Sequence, residues 1–184
     1  DAVLEEFINL YKQGYIYKGT RMVNWCPKCH TAISDVEVEY KEEISHLWHL
    51  RYKIKGEDRY VEVATTRPET MLGDTAAAVN PEDKRYTDIV GKTCIVPIVN
   101  REIPIIADEF VEKEFGTGCV KITPAHDPND YQAGLKHKLE FIEVFDDKTI
   151  MGDLMQEVKG MKAIEARKII VKKLEELGAL VSIE

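Results

Sequence analysis

Residues 48–64 read WHLRYKIKGEDRYVEVA, and the alternation of apolar with polar side chains in this stretch predicts β-strands. Four apolar residues fall on one face of the first strand: Trp48, Leu50, Tyr52 and Ile54. A second strand is predicted over residues 60–64. Farther along, residues 92–99 and 102–107 flank an Asn100-Arg101 turn, a pattern typical of a β-hairpin. The middle of the chain is therefore predicted to be rich in β-structure.

Shorter patterns extend the predicted structure in both directions. Further strands are predicted over residues 15–25, 36–40, 115–123 and 141–145. Helical spacing of apolar residues predicts helices over residues 3–11, 81–89, 127–138 and 163–177, with Gly14 and Gly178 as stop signals of the first and the last. Strands and helices do not alternate regularly, so the order predicts an α+β fold with a closed antiparallel β-barrel-like core and peripheral helices.

The composition predicts a globular, cytoplasmic protein. The chain has 184 residues, of which 44% are hydrophobic, and this is enough to bury a core. No apolar run approaches the length of a membrane span, so no membrane partner is expected. Cys94 and Cys119 stand singly in apolar surroundings, which favours reduced thiols over disulfides.

The net charge of −8 at pH 7 limits the possible partners. A protein that grips a long nucleic acid by its phosphates relies on clustered Lys and Arg. Any nucleic-acid contact of this chain should therefore be local. On charge alone, a small-molecule enzyme with an ordinary acidic surface is the favoured class.

The chain is predicted to divide at about residue 40. Residues 1–40 form a flanking helix and strands with a C-x-x-C knuckle, and residues 41–184 form the main domain. The apolar helical stripe begins at the first residues, without an initiator methionine. We therefore expect the chain to be part of a longer protein.

The knuckle has the sequence Cys26-Pro27-Lys28-Cys29. Two thiolates at this spacing suit tetrahedral zinc, but a structural zinc site needs four ligands. His30 is the next residue and is geometrically awkward as a third ligand. Half a site, completed by residues beyond the C-terminus, is therefore favoured over a complete site within the chain.

A second polar motif, Thr65-Thr66-Arg67-Pro68-Glu69-Thr70, follows the predicted strand that ends in VEVA. Hydroxyls and a guanidinium at the end of a strand could line a polar pocket. Alternatively, these residues serve local turn chemistry, with Pro68 fixing the turn and Glu69 and Thr70 capping the next segment. The two interpretations have about equal weight.

The third motif, GTGCVKITPAHDPNDY, covers residues 116–131. Its alternating strand places Lys121 and Thr123 on the same face. Asp127, Pro128 and Asp130 fit a helix start, as the N-cap, the first residue and an acidic residue of the first turn. One of the two carboxylates is therefore expected to be at least partly structural, whereas Lys121 is less easily explained by structure alone.

Together these motifs resemble the editing domain of valyl-tRNA synthetases. TTRPETMLGDTAAAV at residues 65–79 and FGTGCVKITPAHDPNDY at residues 115–131 resemble its two signature blocks, about 50 residues apart. NWCPKCHTAISDVEVEY, at residues 24–40, resembles the stretch that leads into that domain. The resemblance implies a compact β-barrel inserted into a class I catalytic domain, with the C-x-x-C in a zinc knuckle whose second cysteine pair follows the insertion.

Two related editing domains are less similar to this chain. The leucyl enzymes share the TTRP block but lack the Lys and Thr found here at Lys121 and Thr123. The isoleucyl enzymes have a Trp and further Thr where this chain has Arg67-Pro68-Glu69. The alternatives that stay open are an isoleucyl or leucyl relative, or a non-catalytic aminoacyl- or adenosine-binding module with a zinc knuckle.

The resemblance also implies roles for individual residues. The catalytic set is Lys121, Thr123 and Asp127, and the substrate-binding set is Thr65, Thr66, Arg67, Thr70, Phe115 and Asp130. Asp127 would bind the ammonium group of an aminoacyl ester, and Asp130 and Thr123 would recognise a threonine hydroxyl. Lys121 would polarise the ester carbonyl or orient water. His126 is interpreted as structural rather than as a general base.

The expected activity is hydrolysis of threonyl-tRNA(Val). It is expected to need no cofactor, although zinc could bind in the longer protein through Cys26 and Cys29. The expected partners are the 3′ end of tRNA(Val), the threonine moiety and the rest of the parent synthetase chain.

Overall fold

The computed structural model describes residues 2–42 and 44–184, and within these ranges it contains nine β-strands and three α-helices. The strands are β1 (Asn24–Cys26), β2 (Thr31–Ile33), β3 (Trp48–Ile54), β4 (Tyr60–Thr65), β5 (Ala76–Val79), β6 (Thr93–Val96), β7 (Arg101–Ala107), β8 (Cys119–Ile122) and β9 (Leu180–Ile183). The helices are α1 (Ala2–Lys12), α2 (Pro128–His137) and α3 (Ala163–Glu176). Short 3-10 helices cover Asp35–Glu37, Pro68–Gly73 and Gln156–Val158.

The main sheet has the strand order β4-β3-β6-β7-β5-β8, and β9 pairs with β3 beside it. All of its neighbouring strands are antiparallel except β5 and β7, which run parallel. The hydroxyl of Thr117, just before β8, donates to the backbone carbonyl of Glu62 in β4 over 2.7 Å. This contact brings the two ends of the sheet together and nearly closes a barrel. The predicted α+β fold with a barrel-like core is confirmed.

The alternation along β3 explains how the barrel is filled. Leu50, Tyr52 and Ile54 are completely or almost completely buried, whereas Arg51 and Lys53 between them are exposed. Each buried aliphatic or aromatic side chain contributes roughly 1.5–3 kcal/mol relative to an exposed one. The predicted hairpin is confirmed as β6 and β7, but its turn covers residues 97–100 instead of Asn100-Arg101, so that the Cα register pairs Val96 with Arg101.

Several predicted elements are wrong, and local hydrogen bonds explain two of them. The predicted helix over residues 81–89 is a series of turns, because Asn80 and Asp83 accept nearby backbone N–H groups at Glu82 and Arg85. No strand forms over residues 36–40, because residues 35–37 form a 3-10 helix that Ser34 caps and residues 38–40 are irregular.

Other strands are shorter than predicted or were missed. Only residues 24–25 of the segment 15–25 are in a strand, and residues 141–145 contribute a single bridge between Phe145 and Met151. Of the segment 115–123, only β8 is regular. The strands β2, β5 and β9 were not predicted.

The three regular helices correspond to three of the four predicted ones, and only the helix predicted over residues 81–89 does not form. The helix α1 is followed by Gly14, which has a φ of +81°. The helix α3 buries Ala166, Ile170 and Leu174 against the barrel. No helix among the described residues is both long and apolar enough to cross a membrane.

Candidate functional site

A pocket of about 300 Å³ opens where the ends of β4 and β8 meet the start of α2. All nine residues predicted for catalysis or substrate binding line it: Thr65, Thr66, Arg67, Thr70, Phe115, Lys121, Thr123, Asp127 and Asp130. Their separate roles remain predictions. Five further lining residues were not predicted to belong to the site: Leu47, Ala64, Phe110, Val120 and Asn129. The remaining lining residue is His126.

The turn after β4 is held by local hydrogen bonds and also lines the pocket, but the predicted capping by Glu69 and Thr70 is wrong: the 3-10 helix Pro68–Gly73 has no side-chain cap, and Glu69 accepts hydrogen bonds from Arg167 instead. The hydroxyl of Thr65 accepts the backbone N–H of Arg67 at 3.1 Å, and the hydroxyl of Thr70 donates to the Arg67 carbonyl at 3.0 Å. These bonds are turn chemistry, and the same two side chains line the pocket. Thr66 and Arg67 are exposed at the pocket's edge.

Lys121 lies at the floor of the pocket with its side chain almost fully buried. Its Nζ donates to Thr123 Oγ1 at 2.5 Å, to Thr70 Oγ1 at 2.9 Å and to Asp74 Oδ1 at 3.2 Å. An ammonium group has three N–H donors. All three are therefore engaged inside the protein.

Asp74 is a functional candidate that the sequence analysis missed. It is fully buried, accepts the Tyr52 hydroxyl at 2.6 Å through Oδ2, and accepts the Thr123 hydroxyl at 2.7 Å through Oδ1. Burial raises the pKa of Asp74, and the nearby Lys121 opposes this shift. The sequence does contain an indication of this role. Asp74 stands between the apolar Met71-Leu72 pair and the apolar run Ala76–Val79, and a carboxylate that is buried in such surroundings requires a hydrogen-bonding or charged partner.

Gly73, next to Asp74, lets the backbone pack directly against residues 142–144. A Cβ on Gly73 would stand 2.6 Å from Val144 Cγ2 and 2.9 Å from the carbonyl oxygen of Ile142. Only glycine fits at this approach.

The two carboxylates at the start of α2 have different partners. Asp127 caps the helix, since its Oδ1 accepts the N–H groups of Asn129 at 2.8 Å and Asp130 at 3.2 Å. Asp130 accepts the N–H of Thr123 at 2.8 Å through Oδ2. Burial raises the pKa of Asp130 to about 6, although the Thr123 hydrogen bond acts in the opposite direction. Both carboxylates are thus partly structural, and each keeps one oxygen for the pocket.

His126 is held in place by its neighbours. Its Nε2 accepts the backbone N–H of Val144 at 2.8 Å, and its ring packs on Phe145 with centroids 4.2 Å apart. Burial lowers the pKa of His126 to about 4. The ring is therefore neutral near pH 7, with Nε2 already used as an acceptor, which agrees with a structural role. Its backbone carbonyl accepts Arg67 Nη1 at 2.9 Å.

These contacts fix the polarity of the pocket. A hydroxyl has one proton to donate and two lone pairs. Thr70 and Thr123 both direct their protons into the protein and each accepts from Lys121, so each has one lone pair left. With the second oxygens of Asp127 and Asp130, the floor offers acceptors to a ligand that carries N–H and O–H donors.

The C-x-x-C forms the turn between β1 and β2. The backbone N–H of Cys29 donates to Cys26 Sγ at 3.3 Å, and backbone hydrogen bonds from Cys29 and Lys28 lower the pKa of Cys26. The two sulfurs lie close enough to interact, and backbone N–H groups stabilise the Cys26 thiolate. Both features suit two ligands of a zinc site. The described residues contain no cluster of three or more potential metal ligands, so the other ligands would have to come from elsewhere.

The fold and the pocket define an α+β barrel module with a small, acceptor-rich binding site at the barrel's rim. A family model described as class I tRNA synthetases (I, L, M and V) matches residues 1–172. The chain belongs to this family.

The chain is similar in sequence to valine–tRNA ligases. It is 54% identical to the enzyme of Geobacter sulfurreducens over 184 residues and 56% identical to that of Thermotoga maritima over 183. Each alignment covers the whole chain but 21% of the relative, so the chain spans about a fifth of the length of these ligases. The resemblance to valyl-tRNA synthetases is confirmed.

A solved structure shares the fold. It is the ternary complex of a LeuRS with tRNA and LeuAMS from Agrobacterium radiobacter K84, with a TM-score of 0.61 and 21% sequence identity. The match covers 76% of this chain and 20% of that chain.

Proposed function

We propose that this chain is the editing module of a valine–tRNA ligase and hydrolyses threonyl-tRNA(Val) to release threonine. The observation that carries the proposal is the pocket floor, where the hydroxyls of Thr70 and Thr123 and two carboxylates present acceptors. The family and the 54% identity to valine–tRNA ligases supply the aminoacyl-tRNA context.

The need for such a module follows from the shapes of the two amino acids. Threonine and valine are nearly isosteric, so a site that accepts valine rejects threonine only weakly; valyl-tRNA synthetase is itself the usual example, with discrimination of about a hundredfold. A second site can instead use polarity. An acceptor left unpaired by valine costs roughly 1–3 kcal/mol, whereas the threonine hydroxyl satisfies it.

The residues around the pocket suit the parts of a threonyl ester. The free oxygen of Asp127 would bind the ammonium group through a charge-assisted hydrogen bond. Asp130 and Thr123 would accept the side-chain hydroxyl. Thr65, Thr66, Arg67 and Thr70 come from the turn after β4 on one side of the pocket and would hold the terminal adenosine, and Phe115 offers an apolar surface beside it.

The reaction is hydrolysis of an ester without a covalent intermediate. Water oxygen forms a bond to the carbonyl carbon, the ester C–O bond breaks, and a water proton passes to the ribose oxygen of the tRNA. Lys121 supplies positive charge beside the reacting carbonyl, because its ammonium lies at the pocket floor. Since His126 has its Nε2 engaged by Val144, we assign it no proton transfer.

The partners follow from charge and length. With a net charge of −8, this chain would receive only the 3′ end of tRNA(Val), and the rest of the ligase would hold the phosphates. The LeuRS with the same fold is a complex with tRNA. We place the reaction in the cytoplasm and propose that editing uses no cofactor, while Cys26 and Cys29 would hold zinc together with ligands of the longer protein.

The test is release of threonine from threonyl-tRNA(Val), with valyl-tRNA(Val) as the control substrate. The chain should release threonine selectively, and Lys121→Ala and Asp127→Ala variants that remain folded should lose this activity. Binding of the tRNA end with no release, both here and in the full-length ligase, would show a binding module and refute the proposal.

A further inference from the structure

The pocket floor is one end of a chain of hydrogen bonds that starts inside the barrel. Tyr52 donates to one oxygen of Asp74 at 2.6 Å, and the other oxygen accepts from Thr123 at 2.7 Å and from Lys121 at 3.2 Å. Asp74 is fully buried, and Tyr52 lies beneath it without lining the pocket.

The direction of these bonds is determined by Asp74. An ionised carboxylate only accepts hydrogen bonds. The hydroxyl of Thr123 must therefore give its proton to Asp74, and the remaining lone pair of Thr123 is the one available to a ligand. Lys121 also donates to Thr70, whose own proton goes to the carbonyl of Arg67.

We propose that Asp74 is a specificity-determining positioning residue, which holds Lys121 and orients the Thr123 hydroxyl so that the pocket presents acceptors to an aminoacyl group. This inference rests on the proposed function. Threonine, with its hydroxyl donor, matches that arrangement, and valine leaves the acceptors unpaired. Asp74 does not line the pocket itself, so it acts through its two neighbours.

An Asp74→Asn variant tests this role with little change of shape. Its amide N–H can donate to Thr123, which would turn the Thr123 proton toward the pocket, and the loss of charge weakens the hold on Lys121. We expect the ratio of threonine release to valine release to fall roughly tenfold or more, in line with the loss of a charge-assisted hydrogen bond.

The matched control is Tyr52→Phe. This change removes a buried hydrogen bond from the same carboxylate but leaves the oxygen that faces Thr123 and Lys121 unchanged. Its threonine-to-valine ratio should stay close to that of the wild type. A purely structural role of Asp74 predicts instead that both variants slow both reactions to similar degrees, and that result, or an unchanged ratio in Asp74→Asn, would overturn the proposal.

A measurement on the wild-type chain keeps the proposal testable if Asp74→Asn does not fold. NMR of the nitrogen-15-labelled chain should show a Lys121 ammonium in proton–nitrogen spectra and a Thr123 hydroxyl proton in proton spectra, and both should exchange slowly with water. A neutral Lys121 amine or a freely exchanging Thr123 proton would overturn the inference. A wild-type chain that releases no threonine would count against the proposed function instead, because the NMR measurement does not depend on turnover.

Discussion

The backbone N–H of Thr123 donates to Asp130 Oδ2 over 2.8 Å, so a partly buried carboxylate ties the end of β8 to the first turn of α2. Burial raises the pKa of Asp130 from its ordinary value of 3.8 to about 6. The folded protein thus binds this proton more tightly than the unfolded chain does. Stability from this group is complete below about pH 4 and is lost as the pH rises through about 6.

An Asp130→Asn variant should separate stability from function. The amide oxygen still accepts the Thr123 N–H and carries no charge, so the free energy of unfolding at neutral pH should rise by roughly 1–3 kcal/mol. Threonine release should fall, because the carboxylate that would accept the threonine hydroxyl is gone. Urea unfolding of both proteins across acidic to neutral pH checks this. A stability difference that does not shrink toward low pH would contradict the assignment.

The sequence alone could not decide which of Asp127 and Asp130 caps α2. The signature DPND allowed both to be interpreted as helix-start residues, and the structure makes Asp127 the cap. All nine predicted pocket residues meet in one place because each motif ends a strand at the same rim of the barrel. That convergence was predictable from the motifs and their resemblance.

Asp74 was not predictable in the same way. Its partners Tyr52 and Lys121 are 22 and 47 residues away in sequence, and only barrel closure brings them together. The strand β5 was missed for a related reason. Its sequence, Ala76–Val79, has no alternation and low intrinsic β-propensity, but it is buried on both faces between β7 and β8.

Replacing Asp127 by Asn and by Ala should give different results. Asparagine is as good an N-cap as aspartate, so Asp127→Asn should keep the stability of the fold, whereas Asp127→Ala should lose about 1 kcal/mol. Both variants should lose threonine release, because neither offers a carboxylate to the substrate ammonium. Thermal unfolding and deacylation rates, measured on the same samples, check both expectations. Full activity in Asp127→Asn would show that the charge is not used.

Arg167→Ala should strongly destabilise the protein. Arg167 in α3 makes two hydrogen bonds to Glu69, at 2.8 and 2.9 Å, and the Glu69 side chain is only 4% exposed. Removing Arg167 leaves the buried carboxylate without a hydrogen-bonded partner, and loss of one partner of a buried ion pair costs about 3–5 kcal/mol. Urea denaturation measures this loss.

Arg67 provides the control for that experiment. Its Nε lies 4.0 Å from the same carboxylate, but its side chain is 45% exposed. For stability, Arg67→Ala should therefore cost no more than about 1 kcal/mol. Equal losses in the two variants would mean that the Arg167–Glu69 pair does not anchor α3 to the turn that carries the TTRPET motif.

His126 should titrate below Asp130, because burial lowers the pKa of His126 to about 4 and raises the pKa of Asp130 to about 6. Its Nε2 accepts the Val144 N–H, and burial lowers its pKa to about 4, so near pH 7 the ring should carry its proton on Nδ1. The folded state resists protonation more than the unfolded chain, whose histidine titrates near 6.5, so His126 contributes stability above pH 6.5 that is lost as the pH falls toward 4.

Nitrogen NMR of the imidazole across this range gives both the tautomer and the pKa. A His126 that titrates near pH 6 together with the deacylation rate would make it the general base. A value near 4 would leave any acidic loss of activity around pH 6 to Asp130, whose pKa lies there.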